Sequence, residues 1–140
     1  YAQLYRDGRI EAVAADIIEP IVSDGLNMWR PKVDEPRVLK AVSQFLAIQE
    51  EIGVELPVML LLTLHGVKGY GVLSADRHGY PRGSGHLIDR DMLILPEILC
   101  ENFDSDVDKL MRPAFDSIWQ AAGYERDELY DESGRWNGKV

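Results

Sequence analysis

The chain has 140 residues, enough for one domain with a core of its own. Its net charge of −9 and pI near 4.7 argue against this segment as a general binder of nucleic acid or of acidic membrane, because phosphate binding rests on Lys and Arg displacing counterions. No apolar run reaches the ~18 residues of a spanning helix, and a single cysteine, Cys100, excludes an internal disulfide framework and fits a reducing, cytoplasmic setting.

Residues 1–18 read as a β-hairpin. Two strand-like runs, YAQLYR and RIEAVAADII, flank Asp7-Gly8, a pair suited to the positive φ angles of a tight turn. The opening lacks both an initiator Met and the charged flank and apolar block of a signal peptide, so it reads as a fragment boundary. Residues 21–35 are irregular by composition, with Gly25, Asn27, Pro31 and then Pro36 as breakers. Met28 and Trp29 stand in that stretch, where an aromatic either plugs the edge of the core or anchors a partner surface.

Residues 36–52 are predicted to be helical. Pro36 suits a first turn, and Val38, Leu39, Val42, Phe45 and Leu46 recur at helical spacing before Gly53. LPVMLLLTL, at 56–64, is the one long apolar run. Its length and its Pro57 and Gly66 boundaries favour a strand over 57–64, and consecutive apolar positions imply cover on both faces, hence a central place in a sheet. Gly66, Gly69 and Gly71 suggest a bulge or sharp bend. Their spacing is not a dinucleotide fingerprint, and no helix follows to present amides to a phosphate.

DRHGYPRGSG, at 76–85, is a polar loop with a positive lean. It is either an exposed hairpin tip or an anion or nucleic-acid contact through Arg77, His78, Tyr80 and Arg82. Residues 86–100 read as another strand. It would place Asp89 and Asp91 on one face, a candidate divalent-metal pair with Glu97 nearby. The three histidines fit no zinc spacing, and Cys100, within ILC, reads as a small buried hydrophobe.

A second helix is predicted over 105–122. Asp104 would cap it, and Val107, Leu110, Met111, Ala114, Phe115, Ile118 and Ala122 form an apolar stripe. Pro113 should kink or restart it, Gly123 should end it, and Arg112 and Asp116 are spaced for an ion pair. The acidic remainder carries Tyr130 and Trp136. It is expected to pack back on the domain as far as residue 136, leaving 137–140 as a mobile tail.

Four stretches carry a family resemblance: YAQLYRDGRIEAV, LPVMLLLTLHGVKGYGVL, HLIDRDMLILPEI and LMRPAFDSIWQAAGYERDELYDESGRW. In that order the chain resembles the C-terminal region of bacterial proteins with an N-terminal Schlafen/AlbA-type DNA-binding domain. RPAFDSIWQAAG is the most specific part. The resemblance implies an isolated C-terminal domain whose nucleic-acid function lies mainly in an N-terminal domain outside this sequence. It brings no catalytic residues with it.

The expected architecture is α+β: one domain over 1–136, a mostly antiparallel sheet with a central apolar strand (57–64), and two long helices (36–52 and 105–122) covering it. With helices on one face only, half of 58–64 would be exposed, a patch that soluble monomers avoid. The leading functional expectation is therefore a non-catalytic assembly or regulatory module that forms a homo-oligomer, without a cofactor. Two alternatives stand beside it. One is a ligand or nucleic-acid sensor using the 76–85 loop; the other is a metal-dependent hydrolase at Asp89, Asp91 and Glu97.

Overall fold

The computed structural model describes residues 1–16, 21–23, 26–75, 81–83 and 86–138. Ala2–Leu4 (β1) and Ile10–Ala12 (β2) pair antiparallel, with Leu4 opposite Ile10. The turn is closed by the Tyr5 amide donating to the Arg9 carbonyl (2.8 Å) and the Gly8 amide to the Tyr5 carbonyl (3.0 Å). Gly8 has φ +85°, and a Cβ there would stand 2.5 Å from a Val54 methyl. Only glycine satisfies both conditions. The Gly8 carbonyl accepts from the buried Gln49 amide (2.9 Å), which ties the hairpin to the first helix.

Ile21–Ser23 (β3), Leu26–Trp29 (β4), Tyr70–Ala75 (β7) and Pro81–Gly83 (β8) form a four-stranded sheet in the order β3-β4-β7-β8. The β4–β7 pair is parallel and the others antiparallel. A parallel pair needs a long crossover. Here the crossover begins with α1, Pro31–Glu51, which packs on β7 and on the second helix. The described residues of the 21–35 stretch are thus mainly strand and helix, not irregular, while Gly25 lies outside the described residues. Met28 and Trp29 lie on β4, each only 2% exposed, so they are core and present no surface to a partner.

Helix α1 starts at Pro31, not Pro36. Pro31 sits in the first turn, where no amide donor is needed, and the Arg30 amide donates to the Asp34 carboxylate (3.1 Å). Pro36 is carried inside the helix. The consequence is that Asp34 and Glu35 become helical residues, and both are buried.

The apolar run divides into Val58–Leu60 (β5) and Thr63–His65 (β6). Met92–Ile94 (β9) and Ile98–Cys100 (β10) face them antiparallel, with Met59 opposite Leu99 and Leu64 opposite Leu93. Between these two pairings, residues 95–97 stand against only 61–62, a one-residue bulge that contains Pro96. The Leu95 amide donates to the Leu62 carbonyl (3.1 Å) across the bulge. The two short pairs therefore form one bulged, two-stranded ribbon. The expected strand over 57–64 is not the centre of a sheet, and the expected strand over 86–100 exists only in its second half.

Helix α2, Val107–Ala121, lays Met111, Ala114, Phe115, Ile118 and Trp119 into the core, all at 1% exposure or less. Pro113 is inside the helix without interrupting it, and Gly123 (φ +85°) follows its end. The architecture is α+β, as expected. The inner face of the ribbon (Val58, Leu64, Leu93, Leu95, Ile98, Cys100) is buried with residues of both helices.

Candidate functional site

Two features stand out from this frame. One is a carboxyl cluster inside the domain, and the other is the outer face of the ribbon.

The cluster centres on Glu35, in the first turns of α1 and fully buried at 0% exposure. Its Oε1 accepts from the Trp119 indole N–H of α2 (3.0 Å), and its Oε2 from the Trp136 indole N–H (2.7 Å). Asp127, 1% exposed, lies beside it. The Asp127 amide donates to Asp116 Oδ1 (2.8 Å), and Asp127 Oδ1 accepts from the Leu129 amide (2.7 Å). With both carboxyls ionised, Asp127 Oδ2 has no hydrogen-bond partner among the described residues. A proton on Glu35, donated to Asp127, supplies one.

Among the described residues neither carboxyl is in an ion pair. Burial pushes Glu35 up to about 8, helped by the charge of Asp127 and opposed by the two indole donors. Burial also raises Asp127 to about 6, against the pull of the Leu129 amide, with Asp116 adding to the rise and Arg112 opposing it. Tyr130 closes the cluster, its hydroxyl donating to the Asp108 carbonyl (2.7 Å). Burial and the surrounding carboxylates hold its phenol far above the usual range. Arg112 lies over the Tyr130 ring (5.4 Å) and 3.7 Å from Asp116.

Sequence reasoning missed this cluster, although it placed Trp136 on the domain and expected the Arg112–Asp116 pair. The signal was present in the spacing. Glu35 stands three, four and seven residues before Val38, Leu39 and Val42, on the apolar side of α1. Outside the cluster, a depression of about 300 Å³ is lined by Glu125, Arg126, Asp127, Glu128 and Tyr130. A neighbouring one of about 500 Å³ adds Arg112, Asp131 and Glu132. Both are open; the first is lined mainly by carboxylates, and the second by two carboxylates and two arginines.

The ribbon's outer face is set by strand alternation. Residues 59, 61, 63 and 65 on one strand and 92, 94 and 99 on the other point away from the buried positions. Five of the seven are apolar and exposed: Met59, Leu61 (70%), Met92, Ile94 (74%) and Leu99. The other two are Thr63 and His65, and none of the seven is a carboxylate.

Among the described residues, the remaining sequence candidates do not form a group. Arg77, His78 and Tyr80 lie outside the described residues, and Arg82 is placed only as a backbone position of β8, opposite Ser74. Asp89 and Asp91 fall before β9 in non-strand backbone, so they do not share a strand face. Asp89 pairs instead with its neighbour Arg90 (2.8 Å). Glu97 is exposed in the bulge, and among the described residues no three His, Cys, Asp or Glu side chains are grouped to hold a metal ion. Cys100 is fully buried, its thiol directed to the Asn102 carbonyl (3.2 Å), as a small core residue. Among the described residues no helix is long and apolar enough to cross a membrane. Comparison with family models, with curated proteins and with solved structures gives no match for this chain.

Proposed function

We propose that this chain is a non-catalytic assembly module that self-associates through the outer face of the β5/β6–β9/β10 ribbon. The observation that carries the reading is the exposure of Met59, Leu61, Met92, Ile94 and Leu99 together on one face. They leave roughly 500 Å² of apolar side chain in water, the size of the largest patch a typical monomer shows and a large share of the ~800 Å² that each partner gives to a stable complex. The second copy is the occupant that the charge favours. Two chains of net charge −9 repel each other over most of their surfaces. The seven outward positions of the paired strands carry no carboxylate, so two copies can approach there without a basic complement, with Glu97 and Glu101 flanking them. The ribbon is short, and its bulge carries Pro96, which works against open-ended edge pairing and favours a closed, face-to-face dimer.

The four sequence stretches described above support a setting for this module: the C-terminal part of a bacterial Schlafen/AlbA-type DNA-binding protein. In that setting a preceding domain contacts nucleic acid, and self-association sets how many such domains act together. Sedimentation equilibrium over a concentration series tests the central claim. A dimer at tens of micromolar supports it, and a clean monomer there removes it. The open reading frame upstream of residue 1 tests the setting independently.

A further inference from the structure

We propose that Glu35 and Asp127 form a one-proton latch that fastens residues 124–138 to α1 and α2 and loosens them once both carboxyls are ionised. This inference is independent of self-association.

Three separate parts of the chain meet at one carboxyl. Glu35 belongs to α1, Trp119 to α2 and Trp136 to the C-terminal segment, and both indole donors end on Glu35. Asp127, from the same C-terminal segment, has one oxygen committed to the Leu129 amide. The other is buried without a hydrogen-bond partner, and a proton on the adjacent Glu35 carboxyl is the donor at hand to supply one. One proton therefore completes the hydrogen bonding of the whole cluster. Its removal leaves two buried like charges facing each other and one buried acceptor without a donor, a costly arrangement in a dry interior.

The charges facing the pair do not relieve this. On α2 they are Asp108, Arg112 and Asp116. Arg112, the cation that Asp127 feels, is already shared between Asp116 and the Tyr130 ring. On the C-terminal segment they are Arg126, Glu128, Asp131 and Arg135. Arg126 is exposed, and Arg135 is paired with Asp106 (3.5 Å). On α1 the neighbour is Asp34, held by Arg30. The net surroundings are acidic, so they favour keeping the proton. The pKa directions of the two carboxyls agree with this geometry. The part that would open is the segment. Its other ties to α2 lie at the surface or on backbone carbonyls (Gln120 on the Glu125 carbonyl, the Asp127 amide on Asp116, the Tyr130 hydroxyl on the Asp108 carbonyl, the Arg135–Asp106 pair) or are ring contacts of Tyr124 and Tyr130. Apart from the buried Leu129, the Glu35–Asp127 cluster is its deepest anchor.

Amide hydrogen exchange on the intact chain tests the latch. The relevant amides are Leu129 and Asn137, the latter bonded to the Leu129 carbonyl (3.0 Å). After correction for base catalysis, their opening constants should rise by up to about tenfold per pH unit between roughly pH 6 and 8, the limit for release of one proton. The Leu95 amide in the ribbon should change much less. Asp127→Asn keeps the acceptor for Leu129 and replaces the shared proton by a permanent N–H donor, so its opening constants should be flat over the same range. Equal opening constants across that range in the wild type, or an unchanged slope in the variant, would overturn the proposal. A side-chain carbon titration of Glu35 in the wild type decides the matter even if the variant does not fold. A transition in the neutral-to-alkaline range supports the latch, and a transition only in the ordinary carboxylate range sinks it.

Discussion

Ile94→Thr is the sharpest test of the ribbon face. Ile94 is 74% exposed and stands opposite Thr63 in the β6–β9 pair. Threonine is also β-branched, so strand preference is retained, and the position has little to lose in the isolated fold. Folding stability should therefore stay within about 0.5 kcal/mol of the parent. Association should not. The substitution removes two carbons that a dimer would bury, at about 0.8 kcal/mol each, and adds a hydroxyl that must be desolvated, for a loss of roughly 2 kcal/mol per copy. A two-fold interface contains the change twice, so the dimer weakens by roughly 4 kcal/mol, on the order of a thousandfold in Kd. Sedimentation velocity across a concentration series reads the Kd, and urea unfolding with the substitution at low concentration reads the fold. A variant that dimerises like the parent would refute the assignment of this face. A large loss of folding stability would refute the claim that the residue is free in the monomer.

Three further outcomes follow from the packing. Gly8→Ala should cost roughly 1–3 kcal/mol in urea unfolding, because it forces a side chain into φ +85° and against Val54. Phe115→Ala, at a fully buried position of α2, should cost about 3–5 kcal/mol by the same assay. The pH dependence has a defined sign. Glu35 is raised from 4.5 to about 8 and Asp127 from 3.8 to about 6, so the folded chain holds more protons than the unfolded one between those values. Stability from this pair is full below about pH 4 and falls as pH rises toward 8, with a slope of at most about 1.4 kcal/mol per pH unit for each proton. Unfolding midpoints at a series of pH values check it, and a stability that climbs steadily from pH 5 to about 8 would contradict the burial of the pair.

How much could be read from residues alone depended on whether one element or several decided the outcome. The α2 stripe, the Asp7-Gly8 hairpin and the burial of Cys100 are local patterns with one solution each, and they hold in the structure. The run over 57–64 was harder. Its inward positions (58, 60, 62, 64) and most of its outward ones (59, 61) are all apolar, so the alternation that marks a half-exposed strand is masked. Consecutive apolar residues mean cover on both faces only if something supplies the second cover. The concern that a single layer of helices would leave half the strand exposed was the better guide. That is where Met59 and Leu61 stand.

The carboxyl cluster was hidden by a single boundary. With α1 starting at Pro36, Glu35 is a capping residue in water. With the start at Pro31, the same residue points along the stripe of Val38, Leu39 and Val42 into the core. Two prolines five apart make both starts plausible by propensity. What separates them is tertiary: the two indoles from α2 and the C-terminal segment that satisfy a buried carboxyl at that position. If Glu35 is replaced by an apolar residue of similar volume, as in Glu35→Leu, Asp127 no longer has a titrating partner. Glu35's share of the pH dependence is then lost and only that of the buried Asp127 remains, while the two indole N–H groups and Asp127 Oδ2 lose their partners. The expected result is a chain whose stability is flatter between about pH 5 and 8 but lower at acidic pH, by roughly 1–3 kcal/mol for each buried group left unpaired. If Glu35→Leu is instead more stable than the parent at every pH, the cluster is not holding the C-terminal segment. The packing of Leu129 and Tyr130 would then be sufficient on its own.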